Sequence, residues 1–114
     1  MTRVYKILAR PEWEAAVAAG RYEGSALDRT DGFIHLSTAA QAPETARRHF
    51  AGQDDLVLVR LDAARLGPTL LWEPSRDGDL FPHFYGELDC DLAEAVTPLE
   101  LGADGVPQLG ALTA

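Results

Sequence analysis

Cysteine is almost missing from this chain of 114 residues. Cys90 stands alone, so no internal disulfide can form, and a reducing cytoplasm is the expected setting. Asp89 and Asp91 flank it, which raises a thiol pKa and argues against a reactive nucleophile. Long apolar runs are missing too. Nothing approaches the ~20 residues of a membrane span, so no membrane partner is expected. Arg3, Lys6 and Arg10 interrupt the first apolar residues, which is not the pattern of a signal peptide. Basic residues are scarce: ten Lys and Arg stand against 18 Asp and Glu, for a net charge of −8. That field repels a phosphate backbone, so general nucleic-acid binding is not expected, while one basic pocket for a small anion remains compatible. There is no P-loop, no Gly-x-Gly-x-x-Gly fingerprint and no internal repeat.

What is present is an ordinary globular balance, 46% hydrophobic and 25% charged residues, which fits one domain spanning residues 1–114. Val4 to Leu8 reads as a first strand, with Tyr5 and Ile7 on one face and Lys6 on the other. Pro11 fits the first position of a helix whose apolar face is Trp13, Ala16 and Val17 and whose stop is Gly20. Arg21 to Asp31 is a long polar connection, either a ligand loop or an inert surface loop. A second helix runs to about Phe50, starting at Thr38 or near Pro43. Leu56 to Leu61 is apolar enough to be a central strand. Ala63 to Gly67 gives a helical turn, Thr69 to Glu73 a strand, and Pro74 to Asp79 a turn. Ala95 to Leu101 is a last strand, placed at an edge by Pro98, before a loose Gly- and Ala-rich tail. Strand, helix, strand, helix and then mostly strands is an α+β order.

The chain is organised around Gly32-Phe33-Ile34-His35-Leu36-Ser37-Thr38. Phe33, Ile34 and Leu36 form a short apolar strand that His35 interrupts, and Thr38 to Gln41 has the form of a capping box. An imidazole held on a strand beside hydroxyls suits ligand binding, and equally suits a core histidine that ties down a loop. A second such stretch is Leu80-Phe81-Pro82-His83-Phe84-Tyr85-Gly86. Because each strand is aromatic-rich and carries an inward imidazole, His35 and His83 are expected on opposite walls of one cleft. A Ser37–His83–Glu73 triad lacks the nucleophile elbow, and the two histidines lack metal-motif spacing, so no metal is assigned. Trp13, Trp72, Phe81 and Phe84 are each of a kind more often found in a core than as a stacking platform.

The series Tyr5-Lys6-Ile7, Trp13, Gly32 to Ser37, Gln41, Leu56 to Leu61, Trp72-Glu73 and Phe81 to Gly86 resembles the bacterial domain-of-unknown-function 952 family over roughly Val4 to Leu99. That resemblance implies an ADP-ribosyltransferase-like fold: a split β-sheet with two main helices and a cleft that in relatives holds NAD. His35-Leu36-Ser37 and Val57 to Ala63 are also similar, more distantly, to the NAD-dependent RNA 2′-phosphotransferase. The resemblance implies that His35 lines a NAD site, while Lys6 stands where that family has a histidine. On this reading the ligand is NAD, as a substrate, or another small nucleotide. His35, His83 and Glu73 are the candidate catalytic residues. Tyr5, Lys6, Ser37, Thr38, Trp72 and Tyr85 are the candidate binding residues, with Tyr85 or Trp72 stacking on the ligand. A binding module without chemistry and a histidine-dependent hydrolase are the alternatives.

Overall fold

The computed structural model describes residues 2–114. Strand β1 (Arg3–Ala9) leads into helix α1 (Arg10–Ala19), then β2 (Arg21–Tyr22) and α2 (Ala26–Asp31). Strands β3 (Ile34–His35) and β4 (Ser37–Thr38) precede α3 (Ala42–His49), β5 (Leu56–Asp62) and the single turn α4 (Ala63–Leu66). The remainder is mostly strand, with 3-10 turns at Gly67–Thr69, Arg76–Gly78 and Cys90–Leu92: β6 (Leu70–Pro74), β7 (Leu80–Phe84), β8 (Leu88–Asp89), β9 (Ala93–Leu101) and β10 (Pro107–Gln108). The fold is α+β, a curled arrangement of antiparallel sheets with few helices.

Five strands pair in the order β10-β9-β5-β1-β4, three in the order β3-β7-β6, and β2 with β8. Strand β5 lies at the centre of the larger sheet, as its apolar run requires. Its alternate residues feed two cores. Val57, Val59 and Leu61 join Val4, Leu8, Trp13 and Ile34 on one face. Leu56 and Leu58 join Tyr5, Ile7, Ala42 and Ala46 on the other. The partition follows from the two-residue period of a strand. Pro98 pairs with Val57 inside an unbroken β9, and β10 covers only Glu100 and Leu101 beyond it. The outer side of β9 is therefore unpaired by β10 at the proline, which spares the missing N–H.

Helix α1 has Pro11 in its first turn and ends at Gly20, whose φ of 85° is left-handed. Trp13 and Ala16 are buried, but Val17 is exposed, so the apolar face is narrower than the spacing suggested. Thr38 and Gln41 do form reciprocal bonds, Gln41 Oε1 accepting from the Thr38 amide at 3.1 Å and Thr38 Oγ1 from the Gln41 amide at 3.2 Å. They close a turn, and the helix proper begins at Ala42 with Pro43 in its first turn. The polar connection of residues 21–31 is not a loop. It contains β2 and α2, the latter opened by a capping box between Ser25 and Asp28.

The tail is anchored near its end. Tyr5 Oη donates to the Thr113 carbonyl at 2.6 Å and accepts from the Thr113 amide at 3.0 Å. Tyr5 sits in the second core, so its expected ligand contact is corrected to a structural one: its strand face points away from the histidines. Tyr5→Phe is expected to cost about 0.5–1.5 kcal/mol. Proteolysis should then release the C-terminal residues faster at unchanged overall fold; an unchanged cleavage rate would show that the tether carries no load.

Candidate functional site

The site is built where the two sheets share one length of chain. Residues 34–38 begin in the smaller sheet as β3 and end in the larger as β4, which pairs with β1 through Val4↔Thr38 and Tyr5↔Ser37. In the smaller sheet Ile34 pairs with Phe84 and His35 with His83. Residues opposite one another in an antiparallel pair share a face. The two imidazoles therefore lie side by side, with ring centroids 5.6 Å apart at 67°. They form one wall, which corrects the expectation of two facing walls. The cause is register: the hairpin of β6 and β7 lays His83 directly against β3.

Phe33 covers this wall. Its ring stacks on His83 at 4.0 Å and lies 4.5 Å from His35 and 5.4 Å from Tyr85. Each histidine has its own carboxylate. His35 Nδ1 is 2.6 Å from Asp28 Oδ1, and His83 Nδ1 is 2.8 Å from Glu73 Oε1. A carboxylate only accepts, so each Nδ1 donates.

Asp28 is a buried hub, 2% exposed. It accepts from the amides of Ser25 and His35, from His35 Nδ1, and from Lys6 Nζ at 2.8 Å. Burial alone would raise its pKa, but the His35 bond and the Lys6 ammonium outweigh it and hold the carboxyl well below the ordinary range. Lys6 also donates to the His35 carbonyl at 3.1 Å. It is neither a free cation in a cleft nor a surface lysine. It points into the first core from β1, and its charge is committed to Asp28. Gly24 makes room for the hub: with φ at 102°, a Cβ there would sit 2.7 Å from Asp28 Cβ.

Glu73 occupies the open edge. Tyr85 Oη donates to the same Oε1 at 2.8 Å, and the His83 and Tyr85 bonds hold Glu73 below the usual carboxylate range. The same bond pushes the Tyr85 phenol up. Trp72 pairs with Pro82 and so projects from the opposite face of the sheet, away from His83. It is corrected from a stacking residue to a half-exposed one on the core side. Ser37 Oγ lies 2.9 Å from Thr45 Oγ1, so it is not the third member of a triad with His83 and Glu73. Thr38 closes the turn before α3.

Arg76 donates to the same Thr45 hydroxyl and lies over the Phe81 ring at 4.8 Å. His49, at the end of α3, is lowered from the ordinary imidazole value by desolvation, then by Arg76, Arg48 and His35. Arg48 is itself paired with Glu44 at 2.6 Å. A cavity of about 370 Å³ opens beside Phe33, between Asp28, Arg29, Gly32 and Glu87. Among the described residues no group of three or more His, Cys, Asp or Glu is placed to hold a metal, and no helix is long and apolar enough to cross a membrane.

Sequence reasoning missed Asp28, Asp31 and Phe33. The available signal was Ser25-x-x-Asp28, a capping-box pattern inside what reads as a loop. Cys90 behaves as expected: burial and then its two acidic neighbours push the thiol up. Native protein should therefore react with iodoacetamide at neutral pH much more slowly than unfolded protein, and equal rates would contradict this.

Fold and site together define a small α+β domain of curled antiparallel sheets whose smaller sheet carries two histidines, one paired with a carboxylate of α2 and the other with a carboxylate of β6. Residues 7–96 match the family described as Protein of unknown function (DUF952), and the chain belongs to that family. It is similar to protein CC0527 from Caulobacter crescentus, whose X-ray structure is 55% identical over 96% of each chain with a TM-score of 0.94. The solution NMR structure of CC0527 is likewise 55% identical, over 96% of this chain and 95% of that one, with a TM-score of 0.87. No curated protein matches the chain.

Proposed function

We propose that the histidine face binds NAD or an ADP-ribose derivative and transfers or hydrolyses the ADP-ribosyl group. The observation that carries this reading is the cross-strand pair His35↔His83, each imidazole oriented by its own carboxylate. The split arrangement of two sheets joined through residues 34–38 supports an ADP-ribosyltransferase-like fold, as the sequence resemblance implies.

In this chemistry the bond from ribose C1 to nicotinamide breaks, and its electron pair leaves with the nicotinamide. Positive charge develops on the sugar. Glu73, ionised and oriented by Tyr85 and His83, supplies the negative group that stabilises it. An acceptor oxygen then bonds to C1 and releases its proton to solvent water. His35, fixed by Asp28, holds a ribose or phosphate oxygen. Calorimetry against NAD, ADP-ribose and nicotinamide tests the binding step, and nicotinamide release from NAD tests the chemistry. Absence of binding to all three would refute the proposal.

One observation favours a second reading, a binding module without chemistry. Lys6 takes the first-strand position where the resemblance places a histidine, and it is bound to Asp28 instead of facing a ligand. Saturable binding without nicotinamide release would select that reading. Turnover of a substrate in the absence of NAD would select a histidine-dependent hydrolase.

A further inference from the structure

His35 is engaged twice. Nδ1 faces the buried Asp28, and Nε2 lies 2.9 Å from Oδ2 of Asp31. The two carboxylates differ in setting. Asp28 is enclosed and held by four donors, whereas the Asp31 side chain is 40% exposed at the end of α2 and touches the ring from the solvent side. Gly32, left-handed at φ 88°, follows it and caps the helix. Both ring nitrogens thus face carboxylate oxygens. The inner donor is permanent architecture. The outer contact is part-exposed, on the face that also carries His83 and Glu73.

We propose that Asp31 is a displaceable stand-in for the ligand: its carboxylate holds the place on His35 Nε2 that an anionic oxygen, of phosphate or pyrophosphate type, takes on binding. This rests on the reading of His35 as a ligand contact and narrows it. The partner of His35 is an anionic oxygen of the ligand and not a ribose hydroxyl. A carboxylate already satisfies the ring nitrogen, so a neutral hydroxyl gains nothing by replacing it. A phosphate oxygen carries comparable charge and can replace the carboxylate like for like. Asp31 therefore sets a threshold that selects anionic ligands and excludes neutral sugars.

Asp31→Asn tests this, because it keeps the side-chain shape and removes the charge. The probes are ADP-ribose, adenosine and inorganic pyrophosphate, followed by calorimetry and by the ring ¹⁵N signals of His35. Asp31→Asn should tighten ADP-ribose and pyrophosphate binding about 3–5-fold, the size expected for one exposed charge contact, and leave adenosine unchanged. The His35 Nε2 signal should shift with pyrophosphate at lower concentration in the variant than in the wild type. Equal or weaker pyrophosphate binding by the variant, or a His35 signal indifferent to pyrophosphate in both proteins, overturns the proposal. The nucleotide reading fails separately: if pyrophosphate titrates His35 as described but neither NAD nor ADP-ribose binds, Asp31 is a stand-in for an anion of another kind.

Discussion

Asp28→Ala is expected to destabilise the domain by about 3–5 kcal/mol, the cost of leaving one partner of a buried ion pair uncompensated. Lys6 would keep its ammonium in the first core with only the His35 carbonyl to bond. The amides of Ser25 and His35 would lose their acceptor as well. With total stabilities of about 5–15 kcal/mol, such a loss brings a domain close to unfolding at ordinary temperature. Urea melts of wild type, Asp28→Ala and the double variant Asp28→Leu with Lys6→Met measure it. The double variant should recover much of the loss, because it removes both charges together. A loss below about 1 kcal/mol in Asp28→Ala would refute the hub. The pH dependence has a fixed sign. The folded carboxyl is depressed relative to the unfolded one, so its stabilisation is complete above the ordinary carboxylate value of about 4 and is lost as pH falls through the lower folded value. Asp28→Asn should flatten the acid limb of the stability curve.

The second large effect concerns Glu73. If the face performs ADP-ribosyl chemistry, Glu73→Gln should lower nicotinamide release by about 10²–10³-fold, the usual consequence of removing one preorganised group from a developing charge. Affinity for NAD should change far less, because the residue acts on charge that appears only in the transition state. Stability should also change little, since the carboxylate stands at an exposed edge and glutamine can still accept from Tyr85. Matched kinetics and calorimetry separate these effects. Equal turnover in wild type and Glu73→Gln would remove Glu73 from the chemistry. A parallel fall in affinity and rate would make it a binding residue.

The backbone order and the central strand were legible because they rest on local periodicity. Leu56 to Leu61 could only be an interior strand, and the glycine and proline marks around α1 bound it correctly. Tyr5 and Lys6 were assigned to opposite faces, as observed. The destination of Lys6 was not legible. Its partner lies 22 positions away on a six-residue helix embedded in polar sequence, and no periodic signal connects the two. The pairing of His35 with His83 was hidden for the same reason: register between distant strands depends on the hairpin of β6 and β7. Trp72 illustrates the limit of residue type. It was expected to stack on the ligand as an aromatic beside Glu73, but a shift of one position on a strand reverses the face.

The single run of chain through Leu36 has a dynamic consequence. Its amide donates to the Pro82 carbonyl of the smaller sheet at 3.1 Å, while the next two residues belong to the larger sheet. Lys6 adds a cross-link from β1 to the carbonyl of His35. Local opening of the histidine face must therefore disturb the pairing of β1 with β4. Occupancy of the face should in turn slow amide hydrogen exchange at Tyr5 and Ser37, which face one another across β1 and β4. The larger sheet thereby acts as a remote reporter of what the smaller one holds.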